Sequence, residues 1–245
     1  MSTPRFYCPH PLSPGAHIDL PGNAAVHASR ALRMQAGDQA ILFNGDGHNY
    51  LSEFTSMSKN SVHATILSAA PAETESPLNI TLAQAISSGD RMDFTIQKAV
   101  EMGVRAIQPI ASRRSVIKLS GERAEKRREH WQNVVISACE QSGRATVPLV
   151  AMPISLAEWL SQKPDAGTFI TLAPGSERVL TDLAPPAGDI CFLIGAEGGF
   201  TDEEIELAAN HGFTTVRMGK RILRTETAAL AALAAMQILW GDFGH

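Results

Sequence analysis

Hydrophobic and polar positions follow two different patterns in this chain, and the pattern changes near residue 78. Before that point, short runs alternate between apolar and polar residues, which is typical of strands that bury one face. We expect strands at HIDL (17–20), QAILFN (39–44), YLSEFTSM (50–57) and SVHATIL (61–67). The motif NGDGHN (44–49) favours a hairpin, because Asn-Gly and Asp-Gly tolerate positive φ. Together with a helix over 24–34, ended at Gly37-Asp38, these runs predict a small β-barrel.

From residue 78 onward, predicted strands alternate with predicted helices. The strands are expected at 79–86, 104–110, 167–172, 189–195 and 214–219, and the helices at 90–103, 121–143, 201–212 and 225–240. This alternation predicts an α/β fold with a mostly parallel sheet and helices on both of its faces. The small, polar and proline-containing segment 69–77 suits a linker. We therefore expect two domains, residues 1–71 and residues 72–245.

Two of these helices carry further information. Thr201 and Glu204 predict a capping box at the start of the helix 201–212, and Gly212 predicts its end. The last helix, 225–240, has small side chains and is apolar on nearly all faces. We expect such a helix to be buried, and a subunit interface is one place where it could be buried.

Composition narrows the class of protein. The 245 residues are 44% hydrophobic and 19% charged, which is ordinary for a soluble globular protein and excludes a disordered chain. No apolar run is long enough to cross a bilayer, and the first residues lack the pattern of a signal peptide. The three cysteines lie far apart, and the eight histidines are scattered without metal-ligand spacing. We expect a cytoplasmic protein with no disulfide and no metal.

The net charge of −4 hides an asymmetry along the chain. Residues 91–128 carry ten Lys and Arg against four Asp and Glu, whereas residues 151–245 carry six against twelve. A concentrated basic segment can bind a polyanion even in a mildly acidic protein, because the local field matters more than the total charge. A solvated helix face is the other interpretation, and charge alone does not separate the two.

The segment IGAEGGFTDEE (194–204) is a glycine-rich turn between a strand and a helix, a place where many proteins bind phosphate. Here the spacing of Gly195, Gly198 and Gly199 does not fit the dinucleotide fingerprint, and the lysine of a P-loop is missing. The helix also begins Asp202-Glu203-Glu204, and three carboxylates at its positive end would repel a phosphate. We expect the loop to approach a ligand that is not strongly negative.

Two more turns follow strands and resemble ligand-binding turns: LAPGS at 172–176 and RMGKRILRTETAAL at 217–230. Carboxyl ends of parallel strands meet at one edge of a sheet, so the three turns predict a single pocket. The other interpretation is that these glycines only shape tight turns.

The two loop motifs together resemble the SPOUT class of S-adenosylmethionine-dependent RNA methyltransferases. More narrowly, they are similar to the bacterial family that methylates N3 of uracil-1498 in 16S ribosomal RNA. The segments DRMDFTIQKAVEMG (90–103) and ACEQSGR (138–144) also match that family, as do Arg5-Phe6, His27 and the run 30–33. Ala196 stands where the family often has proline, which should loosen the turn slightly.

The resemblance implies an N-terminal PUA-like β-barrel for RNA and a C-terminal parallel-sheet domain threaded into a trefoil knot. It implies S-adenosyl-L-methionine as cofactor, 16S rRNA within the small ribosomal subunit as partner, and a homodimer with the site at its interface. The donor contacts carried over are Leu172, Ala173, Pro174, Ile194, Gly195, Glu197, Gly198, Gly199, Met218, Gly219, Ile222, Leu223 and Thr227.

Methyl transfer to N3 requires loss of the N3 proton, and the resulting charge spreads to O2 and O4, where a cation would help. Arg224 is our first candidate for that cation, although it could instead pair with Glu226 or contact an RNA phosphate. Glu197 and Glu226 are the nearest carboxylates that could accept the proton or orient the base. In the other interpretation, Glu226 complements the helix dipole and Glu197 serves only to hold its loop in place.

The resemblance and the basic residues also predict an RNA-binding set. Its members are Arg5, His27, Arg30, Arg33, Arg113, Arg114, Lys118, Glu140, Gln141 and Arg144. Glu140, Gln141 and Arg144 could instead contact a partner subunit or form an ordinary polar helix end before Gly143. Three other functions stay open: a nucleotide-dependent dehydrogenase, which lacks its fingerprint here, methylation of a different RNA base, and a non-catalytic RNA-binding module.

Overall fold

A computed structural model describes residues 3–58, 61–115, 120–163 and 167–244. The chain divides into two compact units. The first comprises Met1–Glu75 and Ile136–Val147, and the second comprises Ser76–Val135 and Pro148–His245. The predicted domain boundary between residues 71 and 72 stays a prediction.

The first unit contains a five-stranded sheet in the order β1-β3-β4-β5-β2. Its strands are β1 (Arg5–Tyr7), β2 (His17–Asp19), β3 (Gln39–Phe43), β4 (His48–Met57) and β5 (Val62–Pro71). The expected hairpin joins β3 to β4 in antiparallel register, and Gly45 and Gly47 in its turn have φ of 99° and 87°. Alternate residues of β4, such as Tyr50, Ser52 and Phe54, are buried, which confirms the alternating pattern.

The helix expected over 24–34 is shorter and less regular than its sequence suggests. Helix α1 covers Gly22–Val26, and a π-helical turn follows over His27–Ala31. Arg33 then has a positive φ of 54°, the only such value at a non-glycine position in the described ranges. A left-handed residue cannot continue a right-handed helix, so the chain leaves the helical path here. The linker expected at 69–77 also begins later, because β5 runs to Pro71.

The second unit is built on a parallel sheet of seven strands within the described residues. They are β6 (Ile80–Ala85), β7 (Ala106–Ala111), β8 (Leu149–Val150), β9 (Ile154–Ser155), β10 (Thr168–Leu172), β11 (Ile190–Ile194) and β12 (Thr214–Val216). The order is β12-β10-β11-β6-β7-β8, with β9 also pairing with β7, and every pairing is parallel. The predicted α/β fold with a parallel sheet is confirmed.

Within the described residues after Glu75, five α-helices connect or flank the strands. They are α2 (Gly89–Glu101), α3 (Gly121–Ser142), α4 (Leu156–Gln162), α5 (Asp202–Asn210) and α6 (Thr225–Trp240). All five residues of β11 are buried, as expected for a strand covered on both faces. On one face, Leu193 packs in a cluster with Trp159 of α4 and Ala208 of α5, while α6 and α2 pack against each other.

The three cysteines, Cys8, Cys139 and Cys191, are free and buried. Burial raises the pKa of Cys139 to about 12 and the pKa of Cys191 to about 11, and it also raises the pKa of Cys8. Within the described ranges, no group of three or more His, Cys, Asp or Glu side chains is placed to hold a metal ion. None of the helices in this part of the chain has the length and apolar content needed to span a bilayer.

Candidate functional site

A cavity of about 490 Å³ lies at the carboxyl ends of three neighbouring strands of the second unit, β10, β11 and β12. Its walls are the turns that follow those strands, residues 172–175, 194–200 and 216–223 without Lys220. The structure therefore brings together the three turns that the sequence marks as ligand-binding. Carboxyl ends of parallel strands are where α/β sheets bind their ligands.

Most of the residues expected to contact a donor line this cavity. They are Leu172, Ala173, Pro174, Ile194, Gly195, Glu197, Gly198, Gly199, Met218, Gly219, Ile222 and Leu223. Thr227 is not among the lining residues, whereas Thr225 and Ala228 of the same helix are. Residues three apart share a helix face, and Thr227 faces another direction and is exposed. Thr225 and Ala228 are not among the donor contacts expected from the sequence, although helical periodicity places the two on one face of this helix.

The glycine loop, residues 194–200, has a backbone that excludes side chains at one point. The N–H of Gly199 donates to the carbonyl of Ala196 at 2.8 Å, and Gly199 has a φ of 68°. A Cβ built on Gly195 would lie 2.8 Å from the carbonyl carbon of Gly199, closer than real Cβ atoms approach. Position 195 therefore requires glycine, because the backbone of Gly195 lies directly against the backbone of Gly199 in the same turn.

The start of α5 is capped as the sequence predicts. Thr201 Oγ1 accepts a hydrogen bond from the N–H of Glu204 at 3.3 Å, and Glu204 Oε2 accepts one from the N–H of Thr201 at 2.9 Å. Asp202, Glu203 and Glu204 all lie in the first turn. The positive end of this helix dipole is therefore already complemented by carboxylates, which disfavours a phosphate in the cavity.

A buried hydrogen-bond network fastens the glycine loop to two other elements. Thr225 Oγ1 donates to the carbonyl of Gly195 at 2.6 Å, and Gln84 Nε2 donates to Thr225 Oγ1 at 3.0 Å. Gln84 is fully buried at the end of β6. The network joins β6, the glycine loop and the first residue of α6. Gln84 is not among the site residues expected from the sequence, because a glutamine inside an apolar strand gives no sign of its partner.

The carboxylate of Glu197 is occupied by contacts to the start of α2. It accepts hydrogen bonds from the Ser88 N–H at 2.9 Å, the Ser88 hydroxyl at 2.8 Å and Arg91 Nη1 at 3.2 Å. Partial burial acts to raise the pKa of Glu197, but the hydrogen bonds donated by Ser88 and Arg91 outweigh it and lower that pKa below its ordinary value. The geometry favours the interpretation that Glu197 holds its loop.

Arg224 and Glu226 lie at the beginning of α6. Arg224 is the exposed residue that precedes the helix, and it follows Leu223 and precedes Thr225, which both line the cavity. Glu226 is in the first helical turn, and its Oε2 is buried with no hydrogen-bond partner among the described residues. Among the ion pairs of the described residues, none joins Arg224 to Glu226. Neither residue itself lines the cavity.

The arginines after β7 contact the glycine loop and α5. Arg114 lines the cavity, and its Nη1 donates to the carbonyls of Gly198 and Phe200 at 2.6 Å and 3.2 Å. The N–H of Arg113 donates to Glu204 Oε1 at 2.8 Å, and its guanidinium pairs with Glu203 at 3.4 Å. The sequence predicts RNA binding for both residues, and that role stays a prediction. Lys118, the third member of that stretch, lies outside the described residues.

In the first unit, three of the expected RNA-binding residues take part in a partly buried network. Arg144 donates through Nε and Nη2 to Glu75 Oε2 at 3.1 Å and 2.8 Å, and its side chain is 4% exposed. Arg5 Nη2 donates to the carbonyl of Arg144 at 3.1 Å. Glu140 accepts a hydrogen bond from the Tyr7 N–H at 3.0 Å, and burial raises the pKa of Glu140. These contacts give all three residues a role in holding the unit together.

The other members of the expected set in this unit lie at the surface. His27, Arg30, Arg33 and Gln141 are all exposed. His27 and Arg30 belong to the π-helical turn, and Arg33 is the residue with positive φ. Strained backbone and π-helical turns are frequent at functional sites, so this segment stays a candidate for binding.

Comparison with protein families identifies both parts of the chain. Residues 74–237 match the family model of the RNA methyltransferase domain, and residues 20–67 match the RNA methyltransferase PUA domain. The ribosomal RNA small subunit methyltransferase E of Buchnera aphidicola subsp. Schizaphis graminum is 35% identical, over 98% of this chain and 97% of its own length. The protein of the same name from Bacillus subtilis is 32% identical, over 92% of this chain and 93% of its own.

A solved structure gives the same result in three dimensions. The crystal structure of a ribosomal RNA small subunit methyltransferase E from Neisseria gonorrhoeae, bound to S-adenosyl methionine, matches with a TM-score of 0.93. The two sequences are 49% identical, and the match covers 99% of this chain and 100% of that one.

Proposed function

Because the chain belongs to the RNA methyltransferase family that includes the ribosomal RNA small subunit methyltransferase E proteins, we propose that it methylates N3 of uracil-1498 in 16S ribosomal RNA. It is an S-adenosylmethionine-dependent ribosomal RNA methyltransferase with an N-terminal PUA domain. The choice of base and of position rests on the motifs 194–204 and 218–230 and on their resemblance to the uracil-N3 family.

The cavity at the strand ends is the observation that carries the proposal that this chain binds the methyl donor. Its volume of about 490 Å³ lies within the range typical of small-molecule sites. Backbone of the glycine loop and apolar side chains such as Leu172, Ile194 and Val216 make up much of its wall. S-adenosylmethionine has an adenosine, a sulfonium cation and an amino-acid group but no phosphate, so the carboxylates at the start of α5 do not oppose it. The residues present therefore fit this methyl donor.

The methyl group is supplied by the donor, and the protein must handle a proton. Uracil N3 is protonated at neutral pH, so transfer requires that this proton leaves and that the charge on O2 and O4 is stabilised. Arg224 is exposed and stands in the chain between two cavity-lining residues, Leu223 and Thr225, and we assign it the role of this cation. Since the Glu197 carboxylate already accepts three hydrogen bonds, Glu226, with one oxygen unpartnered among the described residues, is the better candidate for accepting the proton.

The remaining parts of the proposal concern the assembly. The C-terminal domain, residues 72–245, forms a trefoil knot of the SPOUT type, and the protein acts in the cytoplasm as a homodimer on the small ribosomal subunit. The exposed His27, Arg30 and Arg33 of the N-terminal domain contact the RNA backbone. What supports the knot, the homodimer and the cytoplasmic role is the resemblance of the sequence motifs to the uracil-N3 family. What supports RNA contact by the N-terminal domain is its match to the RNA methyltransferase PUA domain over residues 20–67.

Mass mapping of ribosomal RNA tests the target. In cells that lack this protein, uracil-1498 of 16S rRNA should be unmethylated, and a plasmid copy of the wild-type protein should restore the methyl group. Full methylation in the deletion strain would refute the assignment, and loss of a methyl group at another base would redirect it.

A further inference from the structure

Two adjacent arginines after β7 make different contacts: Arg113 contacts the start of α5, and Arg114 contacts the glycine loop. Arg113 uses its main-chain N–H, which donates to Glu204 Oε1 at 2.8 Å. Arg114 uses its guanidinium, whose Nη1 donates to the carbonyl oxygens of Gly198 at 2.6 Å and Phe200 at 3.2 Å. A substitution at Arg113 therefore keeps its bond to Glu204, whereas a substitution at Arg114 removes both of its bonds.

The two carbonyls that Arg114 contacts belong to peptide groups whose N–H is also bonded. The peptide of the Gly198 carbonyl includes the Gly199 N–H, which donates to the carbonyl of Ala196 at 2.8 Å. The peptide of the Phe200 carbonyl includes the Thr201 N–H, which donates to Glu204 Oε2 at 2.9 Å. With Arg114 in place, both peptide groups are fixed at both ends. Without it, two carbonyls lose a charged donor, and charge-assisted hydrogen bonds are the strong ones.

Gly198 makes this contact sterically feasible. A Cβ built on Gly198 would lie 3.1 Å from Cδ and 3.3 Å from Cβ of Arg114. The missing side chain lets the stem of the arginine lie directly on the loop, and Arg114 also forms part of the cavity wall. Gly198 thus accommodates a protein side chain on one side of a loop that lines the cavity.

We propose that Arg114 is a positioning residue for the methyl donor: its guanidinium holds the glycine loop in the shape that binds S-adenosylmethionine, and it does not bind an RNA phosphate. The inference rests on the proposed function, because it assumes that this cavity takes the donor. It assigns to donor binding an arginine that sequence alone assigns to RNA.

Calorimetric titration with S-adenosylmethionine, without RNA, is the first test. Arg114→Ala should bind the donor at least about tenfold more weakly than wild type, since it loses two hydrogen bonds to a charged group. Arg114→Lys keeps the charge but replaces the guanidinium by a compact, strongly hydrated ammonium on a different stem, so it should recover only part of the affinity. Arg113→Ala is the matched control and should bind like wild type, because its main-chain bond remains and its pair with Glu203 is exposed.

Binding of 16S rRNA at several salt concentrations is the second test. A residue that contacts a phosphate contributes about one unit to the slope of log affinity against log salt. Arg114→Ala should leave that slope and the RNA affinity unchanged. A slope reduced by about one unit, with donor affinity retained, would overturn the inference and restore the phosphate role.

Turnover separates positioning from a general loss of folding. For Arg114→Lys, the KM for the donor should rise while kcat at saturating donor stays near wild type, because bound donor restores the loop. An equal donor affinity in wild type and Arg114→Ala would overturn this inference alone. Absence of donor binding by wild type would overturn the proposed function as well, so the two failures are distinguishable.

Discussion

Arg224 is exposed at the boundary of α6, and none of the ion pairs in the described part of the chain uses it. In the proposed reaction, a cation at this place stabilises charge on the uracil oxygens only while the methyl group is transferred. Arg224→Ala should therefore lower kcat by about 10²–10³ and leave the dissociation constant of S-adenosylmethionine nearly unchanged. Single-turnover kinetics and calorimetry measure the two quantities.

Arg105→Ala provides a control for that experiment. Arg105 is also exposed, but it precedes β7 and so lies at the amino ends of the parallel strands, away from the cavity. Its removal should leave kcat unchanged. A loss of donor binding in Arg224→Ala would instead show that Arg224 has a structural role.

Glu197 gives a prediction about pH. Its pKa is lowered in the folded protein, so its contribution to stability is complete above the unfolded pKa of about 4.3 and is lost as the pH falls through the folded value. The stability difference between wild type and Glu197→Gln should be present at neutral pH and should vanish in acid. Thermal denaturation over a pH series measures it.

The same variant separates holding from catalysis. A general base contributes about 10²–10⁴ to the rate, whereas Glu197→Gln should reduce turnover less than about tenfold, because glutamine still accepts hydrogen bonds from Ser88. A loss of a hundredfold or more would make Glu197 the base after all.

At this scale, the sequence predicts which residues matter better than it predicts what they contact. The glycines and apolar residues expected around a donor do line the cavity, because strand ends and turn residues are local signals. The direction of a long side chain is not a local signal. Arg114 contacts carbonyls more than 80 residues away, at Gly198 and Phe200, and Arg144 pairs with Glu75 across 69 residues. An arginine after a strand has the same local pattern whether it faces RNA or its own protein.

At the scale of the elements, the glycine loop can be tested by two matched substitutions. Gly195 and Gly175 both line the cavity, but a Cβ on Gly195 would meet the backbone of Gly199, whereas a Cβ on Gly175 would meet nothing within 4 Å. Gly195→Ala should weaken donor binding at least about tenfold, since the loop must shift, and Gly175→Ala should bind within about twofold of wild type. Equal affinities in the two variants would argue that the loop is not the donor-binding wall.

Hydrophobic periodicity predicts the long elements and misses the short ones. Helix α6 covers Thr225–Trp240, the range that the sequence indicates, and α5 begins at the predicted capping box. β8 and β9 have two residues each, too few to show alternation. Helix α4 is not among the predicted helices, although the sequence carries a signal for its start. Ser155 caps this helix by accepting a hydrogen bond from the Glu158 N–H at 3.2 Å. The π-helical turn has no known local pattern and could not be predicted.

At the scale of the whole molecule, the end of α6 bears on the proposed homodimer. Ile238, Leu239 and Phe243 are 62%, 42% and 50% exposed, an unusual group of large apolar side chains for a single chain in water. Ile238→Glu should raise the dimer dissociation constant at least about tenfold, because it would bury a charge. Sedimentation equilibrium measures it.

Leu149→Glu is the comparison for that experiment. Leu149 is 65% exposed on β8 and should tolerate the change without an effect on assembly. A wild-type protein that is monomeric at micromolar concentration would contradict the homodimer itself. The dimer and the knot come only from the resemblance, since periodicity and composition carry no information about threading or about a second copy.

The burial of all three thiols has a practical consequence for chemical labelling. Maleimide and disulfide reagents are attacked by the thiolate, and Cys139 and Cys191, with pKa values of about 12 and 11, have almost no thiolate at neutral pH. The native chain therefore offers a nearly unreactive background. A cysteine introduced at Ile222, which is 87% exposed at the edge of the cavity, would be the fast-reacting site. A dye attached there would let fluorescence test the proposed binding of the donor in real time, with no native cysteine removed.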